Sequence, residues 1–96
     1  MVFYINSYDV HDWDVYQHYS PSVLPILERY GAEVLAADTK ALAVEGKASS
    51  MHAVIRFPSR EAALACYQDP EYEEAKAIRH RSCNNCTMVV VEEIGD

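Results

Sequence analysis

The chain opens on a period-two pattern. From Val2 to Tyr8, Phe3 and Ile5 fall on one side and Tyr4, Asn6 and Tyr8 on the other, which predicts a first strand. Asp12 then caps a helical pattern in which Trp13, Tyr16, Val23, Leu24, Leu27 and Tyr30 recur largely at three- and four-residue spacing. Pro21 lies inside that pattern. An interior proline removes a hydrogen bond and clashes with the preceding turn, so Ser20-Pro21 predicts a second helix start and a kink, and Pro25 a further bend. Gly31 supplies a left-handed C-cap that leads into a second strand over residues 33–37, with a short, weak extension over 41–45.

The second half repeats the theme. Residues 46–50 read as a turn, and residues 52–57 alternate, with Ala53, Ile55 and Phe57 on one side and His52, Val54 and Arg56 on the other. Pro58 ends this third strand, and Ser59 caps a helix built on Ala62, Ala63, Leu64 and Ala65. Asp69-Pro70 starts a further helix running to about His80, with Glu71, Glu73 and Glu74 at its positive end and Arg79 and Arg81 at its negative end. Residues 82–85 read as a loop, residues 87–93 as a last, β-branched strand, and 94–96 as a tail. The order is that of the ferredoxin-like split βαβ arrangement. It predicts an α+β domain over residues 1–96, with a four-stranded antiparallel sheet and helices on one face.

Such a sheet has one uncovered face. Helices are expected over Phe3, Ile5, Ala53, Ile55 and Phe57, leaving Tyr4, Tyr8, Val54 and Val90 on the open side, with Met88 there too. An apolar open face is an interface signal, and pairing with a second copy through the sheets is the simplest way to cover it.

Composition narrows the partners. The 96 residues carry fifteen acids against eight Lys and Arg, a net charge of −7, with no basic cluster able to follow a phosphate backbone, so nucleic acid is not an expected partner. No apolar run approaches the ~20 residues that cross a bilayer. The first residues lack the pattern of a signal peptide, so a membrane is not expected and the expected location is the cytoplasm. Three cysteines do not make a closed disulfide framework.

The candidate chemistry follows from the expected open face. Tyr4, Asn6, His52, Arg56 and Glu92 are placed toward the space between the sheets of a dimer. There they could hold a small anionic or carbonyl ligand, with Arg56 as charge clamp and His52 as proton donor or acceptor. Arg56 needs a counter-charge in that position, either Glu92 or the ligand. The same residues could instead form a buried polar network. Cys83 and Cys86 have the spacing of metal knuckles and redox pairs, but His80 is the only further ligand nearby and a strand follows, so free thiols without metal are expected. No phosphate-binding loop, dinucleotide glycine pattern or nucleophile elbow is present, and no cofactor is implied.

The stretch Phe57-Pro58-Ser59-Arg60-Glu61-Ala62-Ala63, then Tyr67-Gln68-Asp69-Pro70-Glu71-Tyr72 and Arg79, resembles the signature of domain of unknown function 1330. Trp13-Asp14-Val15-Tyr16 and Arg29-Tyr30-Gly31-Ala32 agree with it, so the resemblance spans almost the whole chain. It implies a dimeric α/β barrel and no agreed activity. Cys66 stands where that family often has tryptophan. Two functions fit. One is a homodimer binding a small molecule inside the barrel, up to a cofactor-independent enzyme; the alternative is a dimeric interaction or accessory module.

Overall fold

In the computed structural model, which describes residues 1–95, alternating burial along Val2–Val10 produces the first strand, β1. Asp12 accepts a hydrogen bond from the Val15 N–H and starts a single turn, α1 (Trp13–Tyr16). The chain then breaks at Gln17 and His18, and α2 runs Tyr19–Arg29, starting two residues before the expected first helical position, Pro21. Pro21 is thus the third residue of α2, where a backbone N–H has no helical acceptor, so its ring is tolerated without a new cap. Gly31, at φ +72°, ends the helix in the left-handed region as its sequence implies.

Strands β2 (Glu33–Asp38) and β3 (Met51–Phe57) follow, then α3 (Arg60–Gln68), α4 (Tyr72–Ser82) and β4 (Cys83–Glu92). Ser59 accepts from the Ala62 N–H and caps α3. The strand extension expected over 41–45 does not form. Residues 39–50 cross from β2 to β3 without regular pairing, and Leu42 and Val44 are about nine-tenths exposed, at 88% and 91%. Residues 83–85, expected as loop, belong to β4; Asp96, the end of the expected tail, lies outside the described residues.

The four strands are antiparallel in the order β2-β3-β1-β4, with the helices on one face: the ferredoxin-like arrangement. No described helix is long and apolar enough to cross a membrane.

Register corrects which face is covered. Tyr4 pairs with Ile55, Asn6 with Ala53 and Tyr4 with Val90, so these residues share the helix-covered side. Phe3 pairs with Arg56 and Val91, Ile5 with Val54 and Val89, and Ser7 with His52, all on the open side. Tyr4 and Tyr8 are therefore core residues, and Phe3 and Ile5 belong to the open face, the reverse of the expected placement. Tyrosine can be buried when its hydroxyl finds a partner. The helices supply one for Tyr8, whose hydroxyl lies 2.6 Å from that of Tyr16.

Candidate functional site

The covering helices leave a cavity of about 400 Å³ between α3, α4 and the β1–β4 side of the sheet. Tyr4, Met88 and Val90 form its sheet wall, and Ala63, Leu64 and Tyr67 of α3 form one flank. Arg79 and His80 of α4 form the other flank, with Cys86 at the β4 edge. A larger groove of about 540 Å³ lies outside α1, α2 and α4, but its charged groups, Asp14, Glu74 and Arg81, are exposed and solvated.

Arg79 sets the character of the cavity. Its side chain is 1% exposed, and no carboxylate among the described residues forms an ion pair with it. Its Nη1 donates to the Tyr19 hydroxyl at 3.1 Å and the Tyr72 hydroxyl at 3.4 Å, and these two hydroxyls lie 3.1 Å apart. Its Nε is buried with no acceptor. Burial opposes the charge, but Tyr19 and Tyr72 outweigh it and keep the guanidinium protonated, above its ordinary range. Two neutral phenols are weak compensation for a buried cation, which ordinarily needs a paired anion.

Tyr4 brings a second donor. Its hydroxyl donates to the Met88 thioether at 3.2 Å, a weak acceptor. Burial raises the Tyr4 hydroxyl above the usual phenol range, while the Arg79 charge pulls it the other way. The remaining wall is apolar or aromatic, with the Tyr4 ring tilted against Phe57 at 5.7 Å.

A β-bulge places Cys86. Ser7 pairs with Thr87 but Asp9 pairs with Asn84, so two residues of β4 stand opposite Tyr8. Asn85 takes φ 54° there, and its side-chain amide donates to Asp9 Oδ2 at 3.0 Å. The extra residue puts both Cys83 and Cys86 on the helix side, as bulges commonly re-aim side chains beside sites. Cys83 is buried, and burial raises its thiol; Cys66, also buried, is pushed up to about 11. Both are thiols, not thiolates, near neutral pH.

The five residues expected to share one pocket are divided between the faces. Tyr4 lines the cavity, and Asn6 lies buried on the same side with its Oδ1 unpaired. Glu92 pairs with Val2, also on that side, and accepts from Arg60 at 3.1 Å on the surface. His52 and Arg56 stand on the opposite face. There His52 Nε2 accepts from the Ser49 N–H, and Arg56 donates to Glu33 of the adjacent strand at 2.6 Å. The expected Arg56–Glu92 pair is ruled out because β4 and β3 flank β1 with those two residues on opposite faces.

Arg79, His80, Tyr67 and Cys86 were not among the expected site residues. The signal for Arg79 was present: Tyr72, Ala75, Arg79 and Ser82 follow helical spacing and form the buried stripe of α4, so a cation falls on an apolar face. Reading Arg79 as a macrodipole partner of the helix end hid it.

A family model described as domain of unknown function, DUF1330, matches residues 1–94. No curated protein matches. Among solved structures, the chain is similar to a protein of unknown function from Rhodopseudomonas palustris, with TM-score 0.83 and 18% identity over 99% of this chain and 83% of that one. It is also similar to a dimeric ferredoxin-like protein of unknown function from Jannaschia sp., with TM-score 0.76 and 11% identity over 96% and 98% of the two chains. SnoaB, a cofactor-independent oxygenase from Streptomyces nogalater, matches with TM-score 0.73 and 9% identity over 99% and 94%. At these identities the likeness is one of fold.

Proposed function

Since the chain belongs to the DUF1330 family, we propose that it is a homodimeric binding protein whose ligand carries an oxyanion on an apolar body. The cavity beneath α3 and α4 receives it. The observation that carries this reading is Arg79, a buried guanidinium that has two tyrosine hydroxyls and no carboxylate among the described residues. A ligand oxyanion supplies the missing charge, and the apolar wall of Leu64, Val90 and Met88 receives the rest of the molecule.

The homodimer rests on the open sheet face. Ile5, Val89 and Val91 are 39%, 45% and 42% exposed there, next to Phe3 and Val54. Apposing two such faces covers them in a self-complementary way. His52 and Arg56 then belong to the interface rather than the ligand site.

A thermal-shift titration with benzoate tests the ligand reading. At about 100 times its dissociation constant a genuine ligand adds roughly 2.7 kcal/mol of stability. The shift is expected to vanish in Arg79→Met and to persist in Arg56→Ala. A benzoate response that survives Arg79→Met refutes the assignment.

A further inference from the structure

The segment that crosses from β2 to β3 is rooted at both ends and unpartnered between them. The Lys40 N–H donates to Asp38 Oδ1 at 2.7 Å, the Ser49 N–H to His52 Nε2 at 3.0 Å and the Ser50 N–H to Asp9 Oδ1 at 3.1 Å. Between these roots, residues 41–48 take part in none of the hydrogen bonds among the described residues, and Leu42 and Val44 stand almost wholly in solvent. Two residues apart, they turn to one side of an extended chain and make an apolar tip. A groove of matching character lies at the β2 edge of the sheet, where Leu24, Leu27, Ala32 and Val34 line about 330 Å³ between α2 and β2. Leu24 and Val34 are nearly half exposed there. The charges match as well. Glu28 lines the groove without an ion pair among the described residues, and Lys40 and Lys47, on either side of the tip, have none either. With two lysines against Glu45, the arm is a positive segment in a chain of net charge −7.

The tip and the groove do not meet within one chain. The arm leaves β2 at Asp38, whereas Ala32 and Val34 lie at the opposite end of that strand, and the root bonds tie its base to β1 and β3. A second copy brings them together. Out and back, residues 39–50 reach roughly 20 Å beyond the strand ends, against about 10 Å between stacked sheets. Resting on the proposed open-face homodimer, we infer that residues 40–47 of each copy form an arm that wraps the sheet edge of the other. Leu42 and Val44 seat in its α2–β2 groove, and the flanking lysines lie beside Glu28. The exchange is reciprocal, two arms and two grooves about one two-fold axis, so every contact counts twice. It also covers the edge of β2, which is otherwise open to pairing with any chain.

Sedimentation over a concentration series compares wild type with the double variant Leu42→Ser, Val44→Ser. Both side chains are exposed in the single chain, so the fold is retained, as an unchanged far-UV spectrum checks. Loss of two buried aliphatic groups from each arm is expected to raise the dimer dissociation constant roughly a hundredfold. Cross-linking shows where the arm lands. In a Cys86→Ser background, which removes the exposed native thiol, a Leu24→Cys protein mixed with a Val44→Cys protein is expected to form a disulfide-linked heterodimer under mild oxidation. A double variant that dimerises as tightly as wild type overturns the arm, leaves the open-face dimer standing and assigns the apolar tip to another partner. Mixed proteins that do not cross-link overturn it too, including the case where the bond forms only within a chain carrying both cysteines. A wild type that stays monomeric at every concentration removes both the arm and the homodimer.

Discussion

At the scale of single residues, Arg79 and the pair Tyr30–Asp69 make opposite predictions. A buried cation without a paired anion destabilises the unliganded protein, and its removal leaves the Tyr19 and Tyr72 hydroxyls bonded to each other. Arg79→Met, which keeps the stem, is therefore expected to raise the stability of the unliganded protein by on the order of 1 kcal/mol, or roughly 4–8 °C in Tm for a domain of this size. A calorimetric scan without ligand checks it; a drop in Tm would show that the guanidinium is a structural element. Tyr30 donates to Asp69 Oδ2 at 2.6 Å. That bond, with the Glu71 N–H, lowers the Asp69 carboxyl, and the same bond raises the Tyr30 hydroxyl. The lowered Asp69 contributes stability above its ordinary value of about 3.9 and loses it as pH falls through the lowered one. The raised Tyr30 contributes below its ordinary value of about 10 and loses it as pH climbs toward the raised one. The stability difference between wild type and Tyr30→Phe should thus be largest at mid-range pH and shrink on both sides, as melting curves across pH would record.

At the scale of elements, the bulge in β4 is the feature that joins sheet to site. Asn85 sits at φ 54°, where a β-branched side chain is strained and glycine is not. Asn85→Val is expected to cost about 1–3 kcal/mol, whereas Asn85→Gly loses mainly the amide contact to Asp9. If the bulge aims Cys86 into the cavity, alkylation of Cys86 should slow in the presence of a bound ligand and lose that protection in Asn85→Val. Denaturant melts and timed alkylation measure the two effects separately. A valine variant as stable as wild type would mean that the strand passes this point without the left-handed residue.

At the scale of the whole molecule, the helix-covered face holds the proposed ligand cavity and the open face the proposed dimer contact, so the two proposals separate by mutation. Val89 and Val54 stand across Ile5 from each other on the open face. A Val89→Glu substitution places a charge at the centre of any sheet-to-sheet contact, where it has no partner. It is expected to give monomers by sedimentation or light scattering at micromolar concentration while leaving the Arg79 cavity able to bind its probe. An unchanged dimer would move the interface elsewhere.

The element order, the caps at Asp12 and Ser59, the left-handed Gly31 and the presence of apolar side chains on both faces of the sheet were legible in the sequence. Each depends on neighbours a few residues away: a side-chain oxygen reaching the third N–H, a glycine with no Cβ, a period of two. Which face the helices cover was not legible, because alternation is unchanged when the two faces are exchanged and both carry large apolar groups. Only the register of β1 with β3 and β4, together with hydroxyl partners such as Tyr16, breaks that symmetry. For the same reason the sequence offers Arg56 either Glu92 or a ligand as counter-charge when the adjacent strand supplies Glu33, and it puts Arg79 at a helix end when helix packing places it in the core. Local chemistry made the elements, and the long-range pairing of strands and helices decided which side chains meet.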